Sequence, residues 1–422
     1  MSAAEPKRPL KIAAISTAFF YRSHAHVILE NFLVPYLFNG KVIDPRKEFQ
    51  IASFYVDQFP GGRDMARATA GQFGIPIYDS VSKATCLGGD RLAVDAVLLI
   101  GEHGKYPFNE KGQELYPKKR FFDEIVSVFK KSGRVAPVYS DKHLSHSWAE
   151  AKEMVDASRR MGFGLMAGSS VPLAQRIPPV ELTRGAKIDE AVSIHGGPLE
   201  RYGFHGLEVL ESMIEARAGG ETGISEVRYV EGEALWQTAR QGLWSAELAR
   251  VAMAAELGQG LPPLEELLAQ RFREAKPHVF LLRYRDGTRA AVLKIGNSSI
   301  RWNFACRVAG EAEPVATGFH VGPWHNRNLF KALAHAIGAH FRNNESPYPV
   351  ERTLLATGAL EAVIDSHVGG GKIVKTPHLQ WAYAPRDFKA YRETGATWKI
   401  ITDDTPQPKG IEPVGVNATH GD

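Results

Sequence analysis

The sequence predicts an α/β chain in two parts: a parallel sheet covered by helices, then an α+β domain built on a mostly antiparallel open sheet. Three observations carry this. From residue 11 to residue 170 short apolar runs alternate with segments of helical period, as strand–helix–strand units do. Residues 94–101 (VDAVLLIG) are almost continuously apolar, as a strand covered on both faces must be. After Pro172 the strand-like runs lengthen, and two of them flank Asp286-Gly287, a dipeptide suited to a hairpin turn.

The elements follow in order. Residues 11–17 (KIAAIST) form the first strand. Residues 23–37 then set Ile28 with Phe32, and Leu29 with Leu33 and Leu37, at helical spacing. Residues 49–56 (FQIASFYV) are a second strand, ending at Asp57. After the apolar strand, a helix over 120–131 is closed by two lysines and Gly133. Residues 134–140 are a strand, and Ser147 with Glu150 has the spacing of a capping box for a helix running to Met161. A last strand, 163–168, ends in Ser169 and Ser170. In the second part a strand over 188–195 leads to a helix over 200–218. Strands at 278–284, 289–295, 301–308 and 314–321 precede helices at 326–341 and 349–368. Residues 231–277, with Trp236 and Trp244, read as a helical insertion. The expected divisions are 1–171, 172–384 and a polar, proline-dotted arm or tail at 385–422.

The 422 residues are 44% hydrophobic and 23% charged, ordinary values for a chain with a sizeable core. Lys and Arg exceed Asp and Glu by 51 to 47, and the resulting +4 is scattered. Nucleic-acid binding wants a concentrated basic stripe instead. The cysteines Cys86 and Cys306 stand far apart without CxxC spacing, which excludes a disulfide framework and a thiolate zinc site. No run approaches the ~18 apolar residues of a membrane span. Residues 1–9 lack the apolar core of a signal peptide. The expectation is a cytoplasmic protein that binds neither membrane nor nucleic acid.

Ligands of open α/β sheets sit beyond the carboxyl ends of the strands. Here those ends carry Ser16-Thr17, Asp57, Gly101-Glu102-His103, Asp141-Lys142-His143 and Ser169-Ser170. Each alone reads as the start of a loop; together they point to a site. Asp57 stands where a carboxylate accepts both hydroxyls of an adenosine ribose, or it simply begins a loop. Lys142 suits a cation that polarises a substrate hydroxyl, or it is an exposed lysine. The helix from residue 200 sets Arg201, His205, Glu208, Ser212 and Glu215 on one face, a face of the kind that is usually solvated, while Leu207, Leu210 and Ile214 pack the other side. His195 precedes it across Gly196-Gly197, so that two imidazoles can meet. His24 and His26, two apart on a helix, point to different faces and do not suit joint metal ligation.

With Lys142 and His205 in view, the chain resembles the glucose–fructose oxidoreductase / inositol dehydrogenase / MocA (Gfo/Idh/MocA) family of nicotinamide-dependent sugar oxidoreductases, over residues 11 to about 379. KIAAISTAFFYRSHA (11–25) resembles the family's opening strand and turn. SDKHLS (140–145) stands where the family carries its Glu-Lys-Pro motif, and YGFHGLE (202–208) resembles the segment of its active-site histidine. SPYPVERTLLATGALEAVIDSHVGGGKIV (346–374) resembles the late helix and the return to the first domain. The resemblance implies a Rossmann-like first domain with NAD or NADP over the turn after the first strand. Its contacts would be Ser16, Thr17, Ala18, Tyr21, Asp57, Gly101, Glu102, His103 and Asp141. Lys142 would polarise the reacting carbon–oxygen group and His205 would act as acid/base, with no metal. A carbohydrate substrate (sugar, sugar acid, glycoside or cyclitol) would meet Ser170, Arg176, His195, Arg201 and Glu208. The face of the C-terminal sheet would also form a dimer contact, so a homodimer or homotetramer is expected.

The chain departs from the family pattern at the phosphate turn, where the three glycine positions are Ser16, Ala18 and Tyr21. The residue after Lys142 is His143 and the acid before it is Asp141; Arg201 replaces the carboxylate one turn before the histidine, and Glu208 lies one turn after it. Three further readings stay open. One is redox-neutral sugar chemistry (glycoside cleavage, elimination or epimerisation) on a retained cofactor. Another is a metal-dependent lyase, isomerase or hydrolase using His103, His195, His205, Glu102 and Glu208. The third is a non-catalytic sugar or nucleotide sensor. Asp57 leans toward NAD, while Arg63 lies a short loop away.

Overall fold

The computed structural model describes residues 8–273, 276–397, 404–406 and 408–415. Six strands build the first sheet: β1 (Leu10–Ala18), β2 (Phe49–Gln58), β3 (Ile77–Tyr78), β4 (Ala96–Ile100), β5 (Val138–Asp141) and β6 (Leu165–Gly168). All are parallel, in the order β3-β2-β1-β4-β5-β6. This doubly wound order opens a crevice beyond the ends of β1 and β4, where the crossovers change direction. Side chains alternate along β1, so Ala13 and Ile15 join one core and Ile12 and Ala14 the other. Around the sheet run α1 (His24–Leu33), α2 (Ala66–Phe73), α3 (Val81–Cys86), α4 (Lys118–Ser132) and α5 (Trp148–Met161).

The second sheet holds β7 (Gln175–Ile177), β8 (Ile188–His195), β9 (Ile224–Glu231), β10 (His278–Tyr284), β11 (Arg289–Lys294), β12 (Trp302–Val308), β13 (Val315–His320) and β14 (Val374–Lys375). Their order is β14-β9-β10-β11-β8-β12-β13-β7, antiparallel except for β8 beside β11. The expected hairpin at Asp286-Gly287 joins β10 to β11. One face carries α6 (Leu199–Ile214) and α11 (Val350–Val368). The insertion is helical, as expected: α7 (Glu233–Arg240), α8 (Ala246–Leu257) and α9 (Leu264–Leu267) cover the other face. There Val192, Ile194, Val279, Leu293 and Ala305 pack against Leu235, Leu248 and Met253.

Two late helices tie the sheets together. α10 (Asn326–Asn343) lies on α1, and α11 touches α5 and β6 as well as α6 and β9. One apolar core therefore runs through both sheets. Among the described residues no helix is long and apolar enough to cross a membrane.

Local expectations fail where tertiary contacts intervene. Ser147 is the N-cap of α5, but its side chain makes no capping bond, and Glu150 takes the hydroxyl of Ser145 instead. α6 ends at Ile214 rather than near Ala218. Its polar face is not solvated: His205, Glu208, Ser212 and Glu215 are buried, with Ser169 after β6 against His205 and Thr353 and Arg352 of α11 against Glu208 and Glu215. The arm or tail expected at 385–422 lies partly outside the described residues. Its described parts pack as an arm, with Phe388 and Ile411 buried and the Ile411 carbonyl 2.7 Å from His26 Nε2.

Candidate active site

A cavity of about 460 Å³ lies beyond the ends of β1, β4, β5 and β6, closed on its far side by β12 and the start of α10. His24, His103, Lys142, Ser170, Arg201 and His205 line it. The start of α1, the ends of β4, β5 and β6, and α6 therefore deliver the polar set.

Lys142 follows β5 in the left-handed region, at φ +58°, and its N–H donates to the Gly168 carbonyl at 3.2 Å. Its side chain is 8% exposed, with Nζ 3.2 Å from Glu102 Oε2. The other Glu102 oxygen accepts from Lys118, whose Nζ also donates to the carbonyls of Asp141 at 3.0 Å and His143 at 2.9 Å. Burial works against the Glu102 charge, yet Lys118 and Lys142 outweigh it and hold the carboxyl well below its ordinary pKa. Gly101 is required beside this pair, since a Cβ there would lie 2.5 Å from Lys118 Cγ. Across the cavity His24 Nδ1 sits 2.5 Å from Asp141 Oδ2, and the Tyr139 hydroxyl donates to Oδ1 at 3.2 Å. The His24 ring meets His103 edge-on, centroids 5.2 Å apart. Burial, then the charges of His24 and Lys142, hold His103 well below its ordinary pKa.

His205 occupies the second turn of α6. Its Nδ1 is 2.6 Å from Ser169 Oγ, an oxygen that also accepts from the Val171 N–H at 3.0 Å. Trp302 meets the ring edge-on at 5.2 Å, and Tyr202 stacks on that indole. Burial, then Lys142 and His24, keep the imidazole well below its ordinary pKa and so neutral near pH 7. Glu208 lies one turn on but does not orient the ring. It accepts from the Thr353 hydroxyl at 2.6 Å and from the Ser169 backbone N–H at 3.5 Å. Burial pushes its carboxyl up to about 7, against the pull of Arg352. Gly168 fits between because its φ is +126° and a Cβ would lie 2.9 Å from Glu208 Oε2.

A second polar group gathers at β2. Asp57 Oδ1 accepts from the Tyr55 hydroxyl at 2.6 Å and Arg120 Nη2 at 2.9 Å, and Oδ2 accepts from the Tyr106 hydroxyl at 2.8 Å. Residues 103–106 fold over this strand end, clamped by Gln58, which accepts from Lys105 N at 2.9 Å and donates to Lys105 O at 3.0 Å. The turn after β1 is closed by side chains rather than by glycine backbone: Ser23 Oγ accepts from the Phe20 and His26 N–H groups. The Arg63 guanidinium lies 4.2 Å from the centre of the Phe20 ring, and its Nε and Nη2 are buried without a hydrogen-bond partner. Orphaned donors of fixed positive charge suit a phosphate. An unsatisfied arginine and a strand-end carboxylate fit the phosphates and ribose of a nucleotide.

The other expected contacts divide. Ser170 and Arg201 line the cavity, with Arg201 Nη2 donating to Glu114 at 2.9 Å. Ser16 and Thr17 lie inside β1, bonded to the carbonyls of Tyr55 and Glu102, and Ala18 is buried in the same strand; none of the three lines the cavity. Tyr21 turns toward His26. His195 packs on His278 and Phe280 rather than on His205, and Arg176 opens into a separate cavity. Among the described residues no three His, Cys, Asp or Glu side chains converge so as to hold a metal ion. Sequence reasoning did not find Lys118, the His24–Asp141 pair or Trp302. Each acts through a contact distant in sequence, and none has a local motif.

No family model and no curated protein sequence matches the chain. Solved structures do. GenD2 from gentamicin A biosynthesis, in complex with NAD, is 12% identical with a TM-score of 0.55, over 89% of this chain and 98% of that one. Scyllo-inositol dehydrogenase from Lactobacillus casei, with bound NAD(H) and scyllo-inositol, is 12% identical with a TM-score of 0.53, over 87% and 99%. Myo-inositol 2-dehydrogenase from Lactobacillus plantarum is 10% identical with a TM-score of 0.53, over 87% and 99%. The likeness is one of fold: a doubly wound parallel sheet followed by a mostly antiparallel one.

Proposed function

We propose that this chain is a nicotinamide-nucleotide-dependent oxidoreductase acting on a hydroxyl of a sugar, sugar acid, glycoside or cyclitol. The observation that carries it is the meeting of Lys142, from a strand end of the first sheet, and His205, from a helix of the second, in one cavity. Fold neighbours solved with NAD, and with NAD(H) and scyllo-inositol, support NAD as the cofactor. When bound, that cofactor supplies the hydride acceptor or donor. Arg63 would hold its phosphates, and Asp57 its ribose.

The chain's own residues move the proton and hold the oxygen. The Lys142 ammonium, fixed by Glu102, donates to the substrate oxygen and stabilises negative charge developing there. His205 has Nδ1 committed to Ser169, which leaves Nε2 for the substrate hydroxyl. Because the ring is neutral near pH 7, Nε2 accepts the hydroxyl proton during oxidation and returns it during reduction. Trp302 and Tyr202 offer an apolar wall to the C–H face of a ring, and Ser170 and Arg201 offer polar contacts to its remaining oxygens. Lys142→Ala and His205→Ala should each lower turnover by orders of magnitude with the fold intact; wild-type rates in either would refute the reading.

The closure of residues 103–106 over Asp57 favours a second version, in which the cofactor is retained while the substrate is oxidised and re-reduced within one cycle. Elimination, epimerisation or glycoside cleavage would then proceed without net redox change. Heat-denaturing the purified protein and analysing the supernatant by mass spectrometry for NAD, NADP and their reduced forms separates the versions. Near-stoichiometric nucleotide indicates retention. An empty supernatant followed by saturable NAD or NADP titration indicates exchange, and failure of both nucleotides to bind would refute the nicotinamide reading.

A further inference from the structure

A second cavity, of about 330 Å³, opens at the far end of α6 from His205 and shares no lining residue with the first. Ser212 and Met213 of α6 line one side; Arg176 of β7, the segment at 181–184 and the C-terminal arm at 385–392 line the others. Five basic groups line the cavity, three of them from the arm, against three acidic ones.

Arg176 and Arg392 are 7% and 5% exposed. Both rest on one carboxylate, Glu181, whose side chain is itself 48% exposed. Arg176 Nη1 is 3.4 Å from it, and Arg392 Nη2 donates to its other oxygen. The buried carboxylate of the lining, Glu215, is already matched: Arg352 donates to it at 2.6 and 2.9 Å and the Tyr383 hydroxyl at 3.0 Å. Burial, then the neighbouring charge of Arg392, pull Arg176 down to about 9. The Nε atoms of Arg176 and Arg392 are both buried with no hydrogen-bond partner, which leaves their desolvation uncompensated.

A purely structural role, pinning the arm to the body, accounts for the Glu181 bonds and for the Glu393 N–H donating to the Leu173 carbonyl at 2.9 Å. It does not account for two buried guanidinium groups on one cavity wall that each keep a donor without a partner. We propose that this cavity binds the oxyanion, phosphate or carboxylate, of a small organic molecule between the guanidinium groups of Arg176 and Arg392. Planar guanidinium forks suit such an anion. Arg184 and Lys389 add charge at the rim, and the Phe388 ring and Met213 give the carbon skeleton an apolar surface. The space exceeds that of a bare phosphate and lies at the lower end of small-molecule pockets. This site stands apart from the proposed redox reaction and does not depend on it.

Isothermal titration of the full chain tests it, with inorganic phosphate and with citrate as probes and sodium chloride at matched ionic strength as the reference. Saturable binding of one probe beyond chloride is expected. Tighter phosphate would indicate a phosphorylated ligand, and tighter citrate a carboxylate. Arg176→Gln and Arg392→Gln should each weaken that binding about tenfold or more. If a glutamine variant does not fold, Arg392→Lys keeps a charge beside Glu181, removes the planar guanidinium fork, and should show the same weakening. Heats no different from chloride, or unchanged affinity in the variants, would overturn the proposal.

Discussion

Ser169 Oγ lies 2.6 Å from His205 Nδ1 and joins the last parallel strand to the helix that brings the imidazole. Rotation of the ring is thereby fixed from the opposite sheet. Ser169→Ala should keep the fold and lower kcat about 10–100-fold with KM little changed, the usual effect of losing a partner that orients an active group. His205→Ala should cost about 10²–10⁴-fold. Steady-state kinetics on a hydroxylated substrate, found from a sugar and cyclitol panel with NAD, gives both numbers. A wild-type kcat in Ser169→Ala would remove its positioning role.

Glu102 is the shared counter-ion of two buried ammonium groups. Glu102→Gln should destabilise the chain by about 3–5 kcal/mol, because it leaves Lys118 and Lys142 buried without a counter-charge. Lys142→Met should cost less, since Lys118 still holds Glu102. Urea unfolding of both variants tests the order, and equal losses would contradict it.

Tyr106 donates to the carboxylate assigned to the nucleotide ribose. Tyr106→Phe frees one Asp57 oxygen and should tighten NAD binding several-fold, whereas Asp57→Ala should weaken it. Arg63→Ala should weaken NAD and NADP alike by about 1.5–3 kcal/mol, the value of a charged hydrogen bond. Fluorescence titration with each nucleotide provides the test. Unaltered affinity in Arg63→Ala would separate that guanidinium from the phosphates.

Glu208 imposes a pH dependence of known sign. Burial lifts its folded-state pKa from 4.5 to about 7, so its stabilising contribution is fully present below about pH 4.5 and is lost as pH rises through 7. His205, held low in the fold, acts oppositely: its contribution is present above about 6.5 and is lost on acidification. Thermal unfolding scanned over pH should give a maximum between these limbs. Glu208→Gln should flatten the alkaline limb and leave the acid limb, although Glu200, also lifted to about 7, preserves part of the former. An unchanged alkaline limb would place the Glu208 pKa elsewhere.

Sequence pattern revealed most where the physics is local. The apolar run at 94–101 could only be a buried strand, and Asp286-Gly287 gave the hairpin its turn. Lys142 and His205 were legible because each stands in a short motif at the end of a strand or on a helix. The polar face of α6 was not: whether Glu208 and Glu215 are solvated depends on Thr353 and Arg352 of α11, far along the chain. The His24–Asp141 pair spans 117 residues, and no periodicity encodes such a contact. His195 stands only two glycines from the segment leading to α6 and lies against Gly206 of that helix, yet its ring packs on His278 and Phe280 rather than on His205. Which neighbour a ring meets is set by the sheet that carries it.

The three helices of residues 233–267 change what a shortened chain would be. An apolar sheet face left bare is an adhesive surface that solution does not tolerate, and here the chain carries its own shield against it. Excising α7 to α9 would not trim an ornament: Val192, Ile194, Leu293 and Ala305 would meet water together. The excised protein should clump or pair through that face, as light scattering would register.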